Sequence, residues 1–250
     1  MKLPRWLRYW GDAVIVPIAL MLLFLTFVWS TNAGGVAQVV AALFMFAVVG
    51  LWLGFRRLRV HASASRLAAI GDPAGLLALA DEELGRRLRS TSPAGLQVYR
   101  AIAHNLAGRP AEARLALDAS GIRPGDRGTA SWHLLWASAE IDARTRLGEV
   151  AAARATFDRV VARYPRTVGA GGLDVIAAEC EARVRLAEGD AAGARALVAP
   201  YLKDIRLGPG ARAQLFAIVA GCERALGDDA AAATAAAKAR ELAPQCVLLP

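Results

Sequence analysis

The sequence has little of what catalytic and metal sites are usually built from. Its three cysteines, Cys180, Cys222 and Cys246, form no C-x-x-C pair, and an odd, scattered set argues against a disulfide framework or a zinc site. Cys180 and Cys222 fall in helical stretches, where cysteine behaves as a small hydrophobe. The three histidines, His61, His104 and His133, are far apart, and no H-E-x-x-H, Walker or G-x-G-x-x-G pattern accompanies them. They read as packing or surface residues. Ser63, Ser65 and Ser138 have no nucleophile elbow around them. No catalytic set, cofactor, metal or small-molecule substrate is indicated, and the chain is not expected to be an enzyme. Strand-type alternation is also missing, and aromatic residues make up only 7%. With abundant alanine, a strong helix former, this predicts an all-α fold.

Lysine is scarce too. Lys2, Lys203 and Lys238 are the only lysines among 30 basic residues, so arginine carries nearly all of the positive charge. The formal net charge is +8. A nucleic-acid-binding face would gather its cations on one side. Here arginines are spread over every predicted helix and interleaved with acids, so no nucleic-acid partner is expected. Asp81, Glu82 and Glu83 against Arg86, Arg87 and Arg89 read as i, i+4 pairs on a solvated face.

What the chain does have is a long apolar N-terminal region. Residues 13–30 and 33–55 carry no charge, and each is near the ~20 residues that span a bilayer. Lys2, Arg5 and Arg8 flank the first run, with Trp6, Tyr9 and Trp10 among them. Arg56, Arg57, Arg59 and Arg66 follow the second, and the connection between the runs has no basic residue. These features predict a two-helix membrane anchor over 1–59 (helices about 12–31 and 34–55). Positive flanks stay inside, which puts both termini in the cytoplasm at the inner membrane. Gly50 and Gly54, four apart, would let helices approach closely there. A cleaved signal peptide is the alternative reading of the first run.

Beyond residue 60 the chain repeats. Gly148 to Pro165 reads GEVAAARATFDRVVARYP, and Gly227 to Pro244 reads GDDAAAATAAAKARELAP, with glycine and proline in the same phase. Gly189-Asp190 and Gly108-Arg109 open further copies, and Gly71-Asp72 a weaker one. The openings are 37, 40, 41 and 38 residues apart. A fixed unit at that period, each preceded by another amphipathic helix, means stacked helical hairpins. The expectation is an α-solenoid of about five repeats over 60–250.

This pattern resembles the tetratricopeptide-repeat (TPR) family, whose unit is about 34 residues. The resemblance implies a small residue five positions after the turn glycine, matched by Ala113, Ala153, Ala194 and Ala232. It implies another seven positions before the glycine, matched by Ala64, Ala101, Ala182 and Ala220 but replaced by Ile141 in the third copy. The family aromatic survives only as Phe157, and its closing proline as Pro165 and Pro244. The layout of two N-terminal membrane helices and repeats also resembles that of HemY-type proteins.

The resemblance further implies a concave groove that takes a peptide or partner segment. Its positions, ten and six residues before each glycine, are Val98 and Ile102, Ser138 and Asp142, Glu179 and Arg183, Ala217 and Gly221. The lysine/asparagine set that grips a C-terminal carboxylate in some family members is absent. The chain's own tail could instead cover these positions. The functional expectation is a membrane-anchored scaffold or adaptor holding a protein partner in the groove. The alternative is an accessory subunit of a membrane enzyme or transporter, held through the membrane hairpin.

Overall fold

The computed structural model describes residues 22, 23, 25, 29, 35–86, 91–123, 130–163, 173–204 and 207–247. Every element among them is helical. By its contacts the chain divides into two units, residues 1–59 and 60–250.

The first helix, α1 (Gly35–Ala69), is 35 residues long. Its front half carries Val39, Phe44, Phe46, Leu51 and Phe55, all exposed. Its back half carries Arg56, Arg57, Arg59 and Arg66. Arg56 lies over the Trp52 ring at 5.4 Å and Arg59 over Phe55 at 5.8 Å.

Among the described residues no helix is long and apolar enough to cross a membrane. This overturns the two-helix anchor, and with it the multi-pass inner-membrane location and the cytoplasmic placement of both termini. Of the expected first span, about 12–31, only Leu22, Leu23, Leu25 and Trp29 are described. The expected second span is not a separate helix. It is the front of α1, which runs without a break through its arginines into the repeat region. The basic flank at Lys2, Arg5 and Arg8 and the connection at 30–34 lie outside the described residues. So do Pro165, the turn-rich stretches 124–129 and 166–172, and residues 248–250.

The unit 60–250 is solenoid-like. The end of α1 pairs with α2 (Pro73–Gly85). Next come α3 (Pro93–Leu106) with α4 (Pro110–Ser120), and α5 (Ala130–Arg146) with α6 (Val150–Val160). Then come α7 (Leu173–Ala187) with α8 (Ala191–Val198), and α9 (Pro209–Ala225) with α10 (Asp229–Leu242). First helices of successive hairpins touch, α3 on α5, α5 on α7 and α7 on α9. Helix α8 tightens into a 3-10 turn at Ala199–Tyr201, because Pro200 has no N–H to continue the ladder.

The Gly-Asp signature has a direct physical role. Gly71, Gly108, Gly148, Gly189 and Gly227 all have positive φ. At Gly189 the following N–H, of Asp190, donates to the Arg185 carbonyl, which is the bond of a Schellman end. The Asp190 carboxylate then accepts from the Gly193 N–H at 2.9 Å and caps α8. Asp72 and Asp228 cap α2 and α10 in the same way. One dipeptide thus stops one helix and starts the next.

The small residues lie where the two helices of a hairpin meet. Ala64, Ala101, Ala182, Ala220, Ala113, Ala153 and Ala194 have no exposure at all, and Ala232 has 2%. Ile141, the exception in sequence, is equally buried. It joins the largest core cluster with Leu134, Trp136, Phe157 and Val184. A second junction is aromatic. Trp132 stands edge-on to Tyr99 at 5.4 Å and to His61 at 5.3 Å, and His61 Nδ1 is 2.8 Å from the Tyr99 hydroxyl. Burial pushes the Tyr99 hydroxyl up to about 12. A Cβ on Gly95 would stand 2.8 Å from the Trp132 ring, so this approach needs a glycine.

Candidate interaction surfaces of the repeat unit

The expected groove positions are gathered on the first helices of the hairpins, but they do not form an open surface. Val98 is fully buried in the main cluster with Ala101 and Leu117. Ile102 packs against Leu106, Ala213, Ala243 and Cys246, residues from α3, α9 and the C-terminal tail. Ser138 is half-buried and hydrogen-bonds Cys180. Ala217 is buried and Gly221 half-buried.

Asp142, Glu179 and Arg183 do come together, as one buried charged cluster. Arg183 Nη1 lies 2.6 Å from Asp142 Oδ1, and its Nη2 lies 2.7 Å from Glu179 Oε1. Nη2 also donates to Gln214 Oε1 at 2.9 Å, so a single guanidinium ties α5, α7 and α9. Burial alone would lower the pKa of Arg183, but the Asp142 and Glu179 carboxylates hold it above its ordinary value. Arg146 Nε shares Asp142 Oδ1 at 2.9 Å. The cluster is a strut between repeats, with its hydrogen-bonding capacity turned inward.

The tail closes over the first repeats. The Val247 N–H donates to the Leu106 carbonyl at 2.8 Å, and Arg146 Nη1 donates to the Val247 carbonyl at 3.3 Å. Cys246 Sγ is 3.4 Å from the Gly71 carbonyl. The start of α9 also reaches the first repeat. A Cβ on Gly210 would stand 2.5 Å from the Ala68 carbonyl.

A second row of charges was legible but missed. Arg114, Arg154 and Arg195 each stand six residues after a turn glycine, in an Ala-Arg pair. Each reaches into the following hairpin. Arg114 pairs with Glu149 at 2.7 Å, Arg154 with Glu188, and Arg195 with Glu223 at 3.1 Å. The arginines that read as scattered are in part an inter-repeat ladder.

Gly50 and Gly54 have nothing within 4 Å of where a Cβ would stand, so no described helix packs on them. Among the described residues no group of three or more histidine, cysteine or carboxylate side chains could hold a metal. A cavity of about 630 Å³ opens beside α10, lined by Phe216, Thr234, Ala235, Lys238 and Glu241. Lys238 and Glu241 pair with each other there at 2.8 Å. No protein-family model, curated protein or solved structure matches the chain.

Proposed function

We propose that this chain is a TPR-like helical-repeat scaffold that binds a protein partner. One observation carries the reading: the front half of α1 is apolar, and among the described residues several of its large side chains stand exposed. Val39, Phe44, Phe46, Leu51 and Phe55 are between 58% and 74% exposed. A contiguous apolar surface of that kind marks an interaction site. Ion pairs such as Arg154–Glu188 and Arg183–Asp142 tie the hairpins of the repeat unit to one another. Such a body suits presenting a binding element better than turning over a substrate. The groove residues Asp142, Glu179 and Arg183 serve the stack itself, so the partner surface is assigned to α1.

A photo-crosslinking residue placed at Phe46 or Leu51 in the full chain tests this in cells. The reading expects one discrete heteromeric protein adduct from these sites and none from Asp158 on the exposed face of α6. Adducts to lipid alone, or only to a second copy of this chain, would overturn it.

A further inference from the structure

The five turn glycines share one conformation but not one environment. At Gly148, Gly189 and Gly227 a Cβ would point into open space. At Gly71 it would stand 2.8 Å from Cys246 Sγ and 2.9 Å from Ala243 Cβ, and at Gly108 it would stand 2.7 Å from Val247 Cγ1. The tail therefore runs from one turn glycine to the next and rests a residue in each of two shallow seats.

The polar contacts match this path. The last carbonyls of a helix have no partner within it. At the end of α3 the Ala107, Gly108 and Arg109 N–H groups bond to Ala103, Asn105 and His104, whereas the Leu106 carbonyl takes its bond from Val247. One turn-forming repeat thus offers an acceptor, the next offers Arg146 as donor, and the glycines offer room for side chains. Main-chain bonds with pockets for alternate side chains are how extended peptides are recognised.

We propose that this row of turns is a peptide seat and that Ala243–Val247 is its internal occupant, a strap that leaves when an extended segment of small and aliphatic residues competes for it. The strap is buried at Ala243 and Cys246 but loosely held at Val247. Val247 is 48% exposed, its carbonyl has an exposed contact with Arg146 at 3.3 Å, and Arg146 already pairs with Asp142. A segment with few contacts in the core opens locally at lower free energy than the core itself. A tethered tail competes at an effective concentration on the order of millimolar, so a free peptide of micromolar affinity meets a seat closed most of the time. This site is separate from the α1 surface, and its fate does not depend on that reading.

The test uses the intact chain and its three free, buried thiols. The probe is a synthetic peptide of residues 241–250 with alanine in place of Cys246. Labelling of Cys246 by a thiol reagent is compared with that of Cys180 and Cys222, which report on opening of the core. At ten times the peptide's dissociation constant, Cys246 labelling should rise about tenfold, with Cys180 and Cys222 unchanged. The same peptide with aspartate at the Val247 position should do nothing. A full chain carrying Val247→Asp should bind the first peptide about 100-fold more tightly than the native chain. The proposal is overturned if Cys246 labels only as fast as Cys180 with or without peptide. It is equally overturned if the two peptides act alike, or if Val247→Asp leaves affinity unchanged.

Discussion

Arg183, on α7, sets its Nη1 2.6 Å from Asp142 Oδ1 on α5, with both side chains about nine-tenths buried. Removing one partner of such a pair leaves the other buried and uncompensated, which costs roughly 3–5 kcal/mol. Arg183→Ala leaves Glu179 without its guanidinium and Asp142 with Arg146 alone. It is expected to lower the unfolding free energy by about that amount in urea titration. Replacing the pair by apolar residues, Asp142→Leu with Arg183→Met, should cost less than the single change. An equal or larger loss in the double variant would mean that the guanidinium's contacts with Gln214 and Glu179 dominate the strut.

How much of this was legible in the sequence depends on the range over which each residue acts. The hairpins were readable because their signals are local. Gly189 and Asp190 fix a helix end and a helix start within a few residues, and Ala153 or Ala182 must be small whatever lies further along the chain. The groove was less readable. Ser138, Asp142, Glu179 and Arg183 were placed on first helices by their spacing. Whether those faces meet solvent depends on α9 and the tail returning to them, and no local pattern encodes that return. The Arg114–Arg154–Arg195 register was present at a fixed offset and was hidden by the chain's general abundance of arginine. The anchor failed for a different reason. Charge-free length marks a segment as apolar, but it does not say where a helix stops, and α1 continues through Arg56 to Ala69.

The turn glycines allow the strap to be weighed against backbone strain. Gly148 has φ +76 with open space beyond it. Gly148→Ala should therefore cost only the left-handed penalty, about 1–2 kcal/mol. Gly108 has φ +70 and faces Val247, so Gly108→Ala adds a clash and should cost more. In a chain ending at Pro244 the two substitutions should cost the same. A difference that survives truncation would place the extra cost of Gly108→Ala in its own repeat.

The inter-repeat ladder should be shallow and salt-sensitive. Exposed ion pairs contribute about 0–1 kcal/mol each, and Arg195 is 49% exposed. Arg154→Ala and Arg195→Ala are each expected within that range, shrinking further at 1 M salt as the screening length falls to about 3 Å. Arg114→Ala should cost the most of the three, because Arg114 also faces Glu140, whose side chain is only 6% exposed. Equal effects at all three positions would show that Glu140 is held by Arg144, 2.5 Å away, without help from Arg114.

His104 supplies a pH dependence whose sign is fixed by its surroundings. It sits in the last turn of α3, where the helix end favours a cation, yet its pKa lies below the ordinary 6.5. Burial is the largest cause, and repulsion from Arg109 and Arg100 adds to it against the pull of Glu112 and Asp81. Its Nδ1 is buried without a hydrogen-bond partner. The unfolded chain therefore binds a proton at this residue more readily than the folded one does. Stability rises with pH wherever the unfolded state holds more protons. The contribution of His104 is thus complete above 6.5 and is lost as the pH falls below 6.5 toward the lowered native value. Thermal unfolding between pH 7.5 and 5 should show a decline that flattens in His104→Asn, a side chain with no charge to gain. An unchanged slope in that variant would show that His104 does not carry the decline. A carboxylate such as Glu188, whose pKa is lowered chiefly by its hydrogen bond from Arg154, loses its contribution only as the pH falls below 4.5, outside this window.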